Sequence, residues 1–203
     1  MNLFVTGIDT DSGKTLSSAI LCEFLQADYW KPIQSGLPRD TDTVKSLISN
    51  SKTFFHPEHY LLKMPASPHA SAKAEDKTLE INNIKLPETN NHLVVEGAGG
   101  CLVPINDQHF VIDLAVKFNC PVVLVADLYL GSINHTLLTA NLLQQKQLVV
   151  KGIIFNGPSN YESERIILHH TKFKKLLHIQ PESVVSKEVV KRYAELLKET
   201  WNS

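Results

Sequence analysis

The chain has 203 residues, a formal net charge of −1, and 43% hydrophobic against 20% charged residues. That balance suits one domain with a sizeable core and excludes a global basic field for nucleic acid. No apolar run reaches the roughly eighteen residues of a membrane span, and the opening "MNLFVTGIDT" lacks the basic flank and long apolar stretch of a secretory signal.

Taken in chain order, short apolar runs alternate with helix-like stretches. Strands are expected at 3–6 (LFVT), 29–33 (YWKPI), 92–97 (HLVVEG), 121–127 (PVVLVAD) and 151–156 (KGIIFN). Helices are expected at about 14–27, 40–50, 110–119, 132–146, 161–171 and 186–200, with apolar residues at three- and four-residue spacing such as Leu137, Leu138, Leu142 and Leu143. Several strands are apolar throughout, as befits strands covered on both faces. The alternation predicts an α/β fold: a mostly parallel, doubly wound sheet with helices on both faces. Residues 51–90 are richer in Pro, His, Lys and Asn and predict a long loop with an irregular helix. The tail from about 158 is polar and helix-like.

The three cysteines, Cys22, Cys101 and Cys120, have no CxxC spacing. They fit a reducing cytoplasm better than a disulfide framework or a zinc site. Cys101 follows two glycines, but nothing near it in sequence marks an activated nucleophile.

"GIDTDSGKT", Gly7 to Thr15, joins the first strand to the first helix. Gly7 permits a tight exit from the strand, and Gly13 lets backbone N–H groups approach an anion. The helix starting near Lys14 aims its positive end at the same place. Lys14 can reach outer phosphates, and the Thr15 hydroxyl can ligate Mg²⁺. The spacing differs from G-x-x-x-x-G-K-[ST], with five residues between the glycines instead of four.

Two acids stand at strand ends where a nucleotide's Mg²⁺ needs oxygen ligands: Glu96, closing "HLVVE", and Asp42 in "PRDTDTV". Asp42 also suits a helix N-cap region. Lys31, within "YWKPIQSG", is either a buried lysine with an anionic partner or an edge-strand lysine reaching water, since Pro32 beside it could mark an edge. Together, Lys14 and Lys31 could flank a phosphoryl group in transfer.

The segments "GIDTDSGKT", "WKPIQSG", "SPHASA", "VVEGAGG", "LGSINHTLLTA" and "GIIFN" occur in the order and rough spacing of the dethiobiotin synthetase family, over about residues 2–157. The chain resembles that family, whose phosphate loop has the same five-residue gap. The resemblance implies a P-loop α/β domain, here 1–203 as one unit, acting as a cytoplasmic homodimer. It implies carboxylation and ring closure of 7,8-diaminononanoate with CO₂ and MgATP, through a carbamate and a carbamic–phosphoric anhydride, so that ATP is a reagent. By motif, Lys14 and Lys31 are the catalytic pair. Thr15, Asp42 and Glu96 hold Mg²⁺, and Thr10 and Ser35 contact the carbamate or diamine. Asp11, Ser12, Gly13, Lys14 and Thr15 cradle phosphates, with Glu96, Gly97, Ala98 and Gly99 alongside. Asn156, followed by Gly157, meets the base. Gly131, Ser132 and Asn134 receive the distant carboxylate across the dimer interface. Switch ATPases of the partitioning and septum-positioning class share the fold, but usually bear an extra lysine early in the loop, which "IDTDS" lacks.

Overall fold

The structure is a computed structural model and describes residues 1–201. Seven parallel strands form the main sheet in the order β4-β2-β6-β1-β7-β8-β9. They are β1 (Asn2–Gly7), β2 (Asp28–Trp30), β4 (Phe55–His56), β6 (Leu93–Gly100), β7 (Val122–Asp127), β8 (Val150–Asn156) and β9 (Lys175–Ile179). A second, two-stranded parallel sheet pairs β3 (Ile33–Ser35) with β5 (Tyr60–Leu62).

Alternation along the central strands builds two cores. Phe4, Val95, Leu124 and Phe155 point to one side of the sheet, and Leu3, Val5, Val94, Val123 and Ile154 to the other. The second side is covered by α1 (Lys14–Leu25), α2 (Asp40–Leu47) and α7 (Lys187–Trp201). The first side holds α3 (Pro68–Ala74), α4 (Ile112–Phe118), α5 (Ser132–Gln145) and α6 (Tyr161–Thr171). With both faces covered, β1, β6 and β7 have no polar face, which explains their unbroken apolar runs.

The chain winds from β1 out to the β4 edge, returns to place β6 beside β1, then continues through β7 to β9. The order thus reverses around β1, and ligand sites of doubly wound sheets lie at the carboxyl ends of strands at such a reversal.

Three elements depart from the sequence reading. The expected strand 29–33 is two strands in two sheets, because Pro32 has no N–H to extend the ladder. Its carbonyl instead accepts from the N–H groups of His59 and Tyr60. Strands β4 and β5 lie inside the stretch read as loop. Strand β9, "KLLHI", sits in the tail read as helical; its five residues pair with β8 and bury Leu176, Leu177 and Ile179.

The β2 end away from the site is fixed by Asp28, which is 4% exposed. Its carboxylate accepts from the Thr89 hydroxyl (2.7 Å), the Asn91 amide (3.0 Å), the Phe54 N–H (3.1 Å) and the His56 Nε2 (3.1 Å). Burial pushes this carboxyl up, but these donors together hold it below the ordinary aspartate value. The stability it contributes is therefore full above the unfolded aspartate range near about pH 4 and is lost as pH falls through the lower folded value. Asp28→Ala strands those donors and is expected to cost about 1–3 kcal/mol at pH 7, as read by urea unfolding. The difference from the parent should shrink on acidification below about pH 4.

Candidate active site

The first βα turn carries the phosphate loop. Gly13 adopts φ +96° immediately before α1, in the left-handed region that glycine tolerates. A Cβ there would lie 2.5 Å from the Asn156 side-chain nitrogen, so the position is closed to larger residues twice over. Asn156, at the end of β8, donates to the Ser12 carbonyl at 3.1 Å and ties the loop to that strand. Ser12 is buried and its hydroxyl donates to the Asp9 carbonyl at 3.0 Å. Lys14 curls over the loop, donating to the carbonyls of Asp9 (2.8 Å) and Thr10 (2.7 Å). Burial, and secondly the charge of Lys31, lower its ammonium to about 8.

Lys31 sits where β2 ends, flanked by β6 on one side and β4 on the other, so it is not at the sheet edge. It is 4% exposed and donates to Glu96 Oε1 at 3.0 Å, and it pairs with Asp40. Glu96 is 1% exposed. Its Oε1 also accepts from the Thr15 hydroxyl (3.0 Å), and its Oε2 from the Tyr29 hydroxyl (3.0 Å). Burial pushes Glu96 up, yet Lys31 and, more weakly, the buried Ser18 hydroxyl on α1 and then Lys14 hold it below the usual carboxylate value. Burial acts to lower Lys31, and Glu96 and Asp40 outweigh it, leaving the ammonium raised and charged.

These groups line one cavity of about 470 Å³, within the range of small-molecule sites. Thr10, Asp11, Lys14, Thr15, Lys31, Ser35, Glu96, Ala98 and Gly99 all contribute to it. The Ser35 hydroxyl is buried without a protein partner, which leaves it available to a ligand. Gly97 lies just behind, its carbonyl 3.4 Å from the Lys31 ammonium.

Asp42 is placed elsewhere. Its carboxylate pairs with Arg39 at 2.7 Å and is half exposed, while Asp40 lines the cavity. Residues two apart on a helix face roughly opposite sides, so only one of the pair in "DTD" can reach the site. Nothing local in "PRDTDTV" separates the two, and the sequence reading chose Asp42. Gln34 was also missed: it lines the cavity, accepts from the Asp40 N–H (3.1 Å) and donates to the Gly36 carbonyl (3.1 Å), fixing the start of α2.

Gly157, with φ +102°, follows Asn156 on the other side of the loop. Its carbonyl accepts from His178 (2.8 Å), whose other ring nitrogen faces Glu164 at 2.9 Å. Gly131, Ser132 and Asn134 lie at the start of α5 and do not line this cavity. Ser132 is buried with its hydroxyl unpartnered, and Asn134 is exposed. Cys101 is buried against the Thr6 hydroxyl at 3.4 Å, and burial pushes its thiol up to about 11, so it is no nucleophile. His69 bonds Ser67, which lines the cavity, and His135 bonds Tyr129; neither histidine lines it.

The family profile described as an AAA domain matches residues 1–189. ATP-dependent dethiobiotin synthetase of Cytophaga hutchinsonii is 55% identical over 200 residues, covering 98% of this chain and 97% of that protein. The chain belongs to the dethiobiotin synthetase family. The enzyme of the same name from Christiangramia forsetii is 45% identical, with 95% of this chain and 93% of that one covered. Among solved structures, a plasmid partition protein from Borrelia burgdorferi bound to AMPPNP aligns with TM-score 0.60 at 11% identity, covering 98% of this chain and 97% of that one. The cell division ATPase MinD of Pyrococcus furiosus aligns with TM-score 0.58 at 9% identity, covering 98% of each. At that identity they share the fold alone, a P-loop ATPase sheet.

Proposed function

We propose that this member of the dethiobiotin synthetase family closes the ureido ring of dethiobiotin from 7,8-diaminononanoate, CO₂ and ATP, releasing ADP and phosphate, with residues 1–203 as one ligase domain. The observation that carries the reading is the convergence of Lys14 and Lys31, with Glu96 between Lys31 and Thr15, on one cavity. Switch ATPases of this fold bring their extra lysine from early in the loop, where "IDTDS" has none, whereas here the second ammonium comes from the end of β2, beyond β6.

In this reading a substrate amine adds to CO₂ and loses a proton, giving a carbamate. A carbamate oxygen attacks the γ-phosphorus, and ADP leaves. The second amine attacks the carbonyl carbon of the resulting anhydride and gives up a proton, and phosphate leaves as the ring closes. Lys31 faces the carbamate and the transferring phosphoryl group, and Lys14 exchanges its loop carbonyls for phosphate oxygens. Thr10 and Ser35 hold the carbamate or diamine end, the latter through its unpartnered hydroxyl. Backbone from Asp11 to Thr15 cradles the phosphates, and Asn156 and Gly157 lie on the base side.

The donor set also fits Mg²⁺. Thr15, Glu96 and Asp40 are all oxygen donors at the cavity, the ligand type that Mg²⁺ takes beside phosphate. Bound there, the ion would neutralise charge on the phosphates. Asp40 replaces Asp42 in this assignment. Asp40→Asn is expected to lower kcat by about tenfold or more, as supporting-ligand changes do. Asp42→Asn, which touches only an exposed ion pair, should stay within about twofold in the same steady-state assay.

The homodimer is part of the proposal. Leu130, Ile133 and Leu138 are exposed beside Gly131, Ser132 and Asn134. A second copy covering that apolar strip would bring this helix start, suited to a carboxylate, to the neighbouring cavity. A cytoplasmic setting fits three buried, free cysteines. Among the described residues, no helix is long and apolar enough to cross a membrane.

The deciding experiment is ATP turnover with and without 7,8-diaminononanoate and bicarbonate. Strong stimulation requiring both, with dethiobiotin appearing stoichiometrically with ADP, is expected. Hydrolysis indifferent to the diamine would replace the ligase reading with a switch.

A further inference from the structure

Glu96 reaches the cavity on a flexible side chain whose terminal torsion is broad, so its carboxylate plane is set by what its oxygens touch. On Oε1 the partners are Thr15 and Lys31, both of which line the cavity. Both would redirect their donors or lone pairs toward an incoming nucleotide and its cation. The hydroxyl of Tyr29, 3.0 Å from Oε2, is different. Tyr29 is 0% exposed, its ring lies in the core between α1 and the sheet, and it packs 6.0 Å from the Phe55 ring. Nothing that binds in the cavity meets it, since it is absent from the lining.

The strand register explains the arrangement. Tyr29 pairs with Val94, and Trp30 with Val95. Residues two apart share a face, so Tyr29 in β2 and Lys31, the residue just after it, bracket Glu96 on β6, each taking one carboxylate oxygen. Trp30, between them, belongs to the opposite core. The stretch "DYWK" therefore supplies a fixed donor behind the carboxylate and a charged donor in front of it.

We propose that Tyr29 is a positioning residue that holds Glu96 in its metal-binding orientation through the Oε2 hydrogen bond. The inference rests on the assignment of Glu96 as a cation ligand made above. Outer partners of this kind typically set metal affinity within a factor of about 10–100.

The test is Mn²⁺ binding to the full chain in the presence of ADP, followed by electron paramagnetic resonance, for the parent, Tyr29→Phe, Glu96→Gln and Phe55→Leu. Tyr29→Phe removes one oxygen and keeps the ring. It is expected to weaken Mn²⁺ by about tenfold or more, with metal-free ADP affinity unchanged. Phe55→Leu loosens the packing of the same ring but leaves the hydroxyl, and should lower the melting temperature without moving Mn²⁺ affinity. An unchanged Mn²⁺ affinity in Tyr29→Phe, with Glu96→Gln defective, overturns the role of Tyr29 and leaves the ligase reading standing. Equal weakening in Phe55→Leu would reduce Tyr29 to a packing role and overturns it too. Normal binding by Glu96→Gln removes the metal assignment itself, and the inference with it.

Discussion

Lys31→Ala is expected to lose about 10²–10³ in kcat and, unusually for an active-site change, to lose stability as well. The catalytic part follows from the position of its ammonium on the cavity wall, facing the transferring group in the proposed reaction. The stability part follows from what it leaves behind. Glu96 and Asp40 would then share the site without their cation, and Glu96 is 1% exposed. Breaking a buried pair by deleting one partner costs about 3–5 kcal/mol. Steady-state kinetics and urea unfolding at pH 7 read the two effects separately. A loss confined to ATP affinity, with kcat intact, would show that Lys31 serves the nucleotide and not the chemistry. Lys31→Arg should not rescue it, because a planar guanidinium cannot occupy the niche of a compact ammonium that touches two carboxylates.

Lys14→Ala should abolish turnover, by about 10³-fold or more, with the fold largely kept. The contrast has a local cause. Lys14 touches only backbone carbonyls, of Asp9 and Thr10, and those two residues are exposed enough to be rehydrated when it goes. The melting temperature should therefore move far less than for Lys31→Ala. The ammonium, lowered to about 8 by burial and by Lys31, adds a pH signature. Above about 8 the empty protein holds this group increasingly neutral, whereas bound phosphate favours its charged form. Nucleotide binding should thus take up a proton near that pH and weaken as pH rises further. Calorimetry in buffers of different ionisation enthalpy measures the uptake, and Lys14→Met should remove it.

The parts of the fold that were legible in the sequence are those whose pattern is local. Strands β1, β6, β7 and β8 announce themselves because burial on both faces demands runs of consecutive apolar residues. The phosphate loop was legible because Gly13 is enforced by its own backbone angle and by Asn156. What escaped depends on partners distant in sequence. Strand β9 is five residues long, amid polar neighbours, and is a strand only because β8 offers it a ladder. Asp40 and Asp42 have the same local chemistry, and only the direction of α2 against the cavity separates them. Tyr29 reads as one more apolar core residue until its hydroxyl is placed against Glu96, 67 positions away.

The break at Pro32 has a reach beyond the two ladders it separates. The wall carrying Ser35 is backed by its own two-stranded sheet and joins the larger one without a shared row of backbone bonds between β2 and β3. The opposite wall, with the phosphate loop, is anchored in the middle of the seven strands. One half of the chamber can therefore be reshaped for a longer, shorter or differently substituted acceptor while the half that handles triphosphate stays rigid.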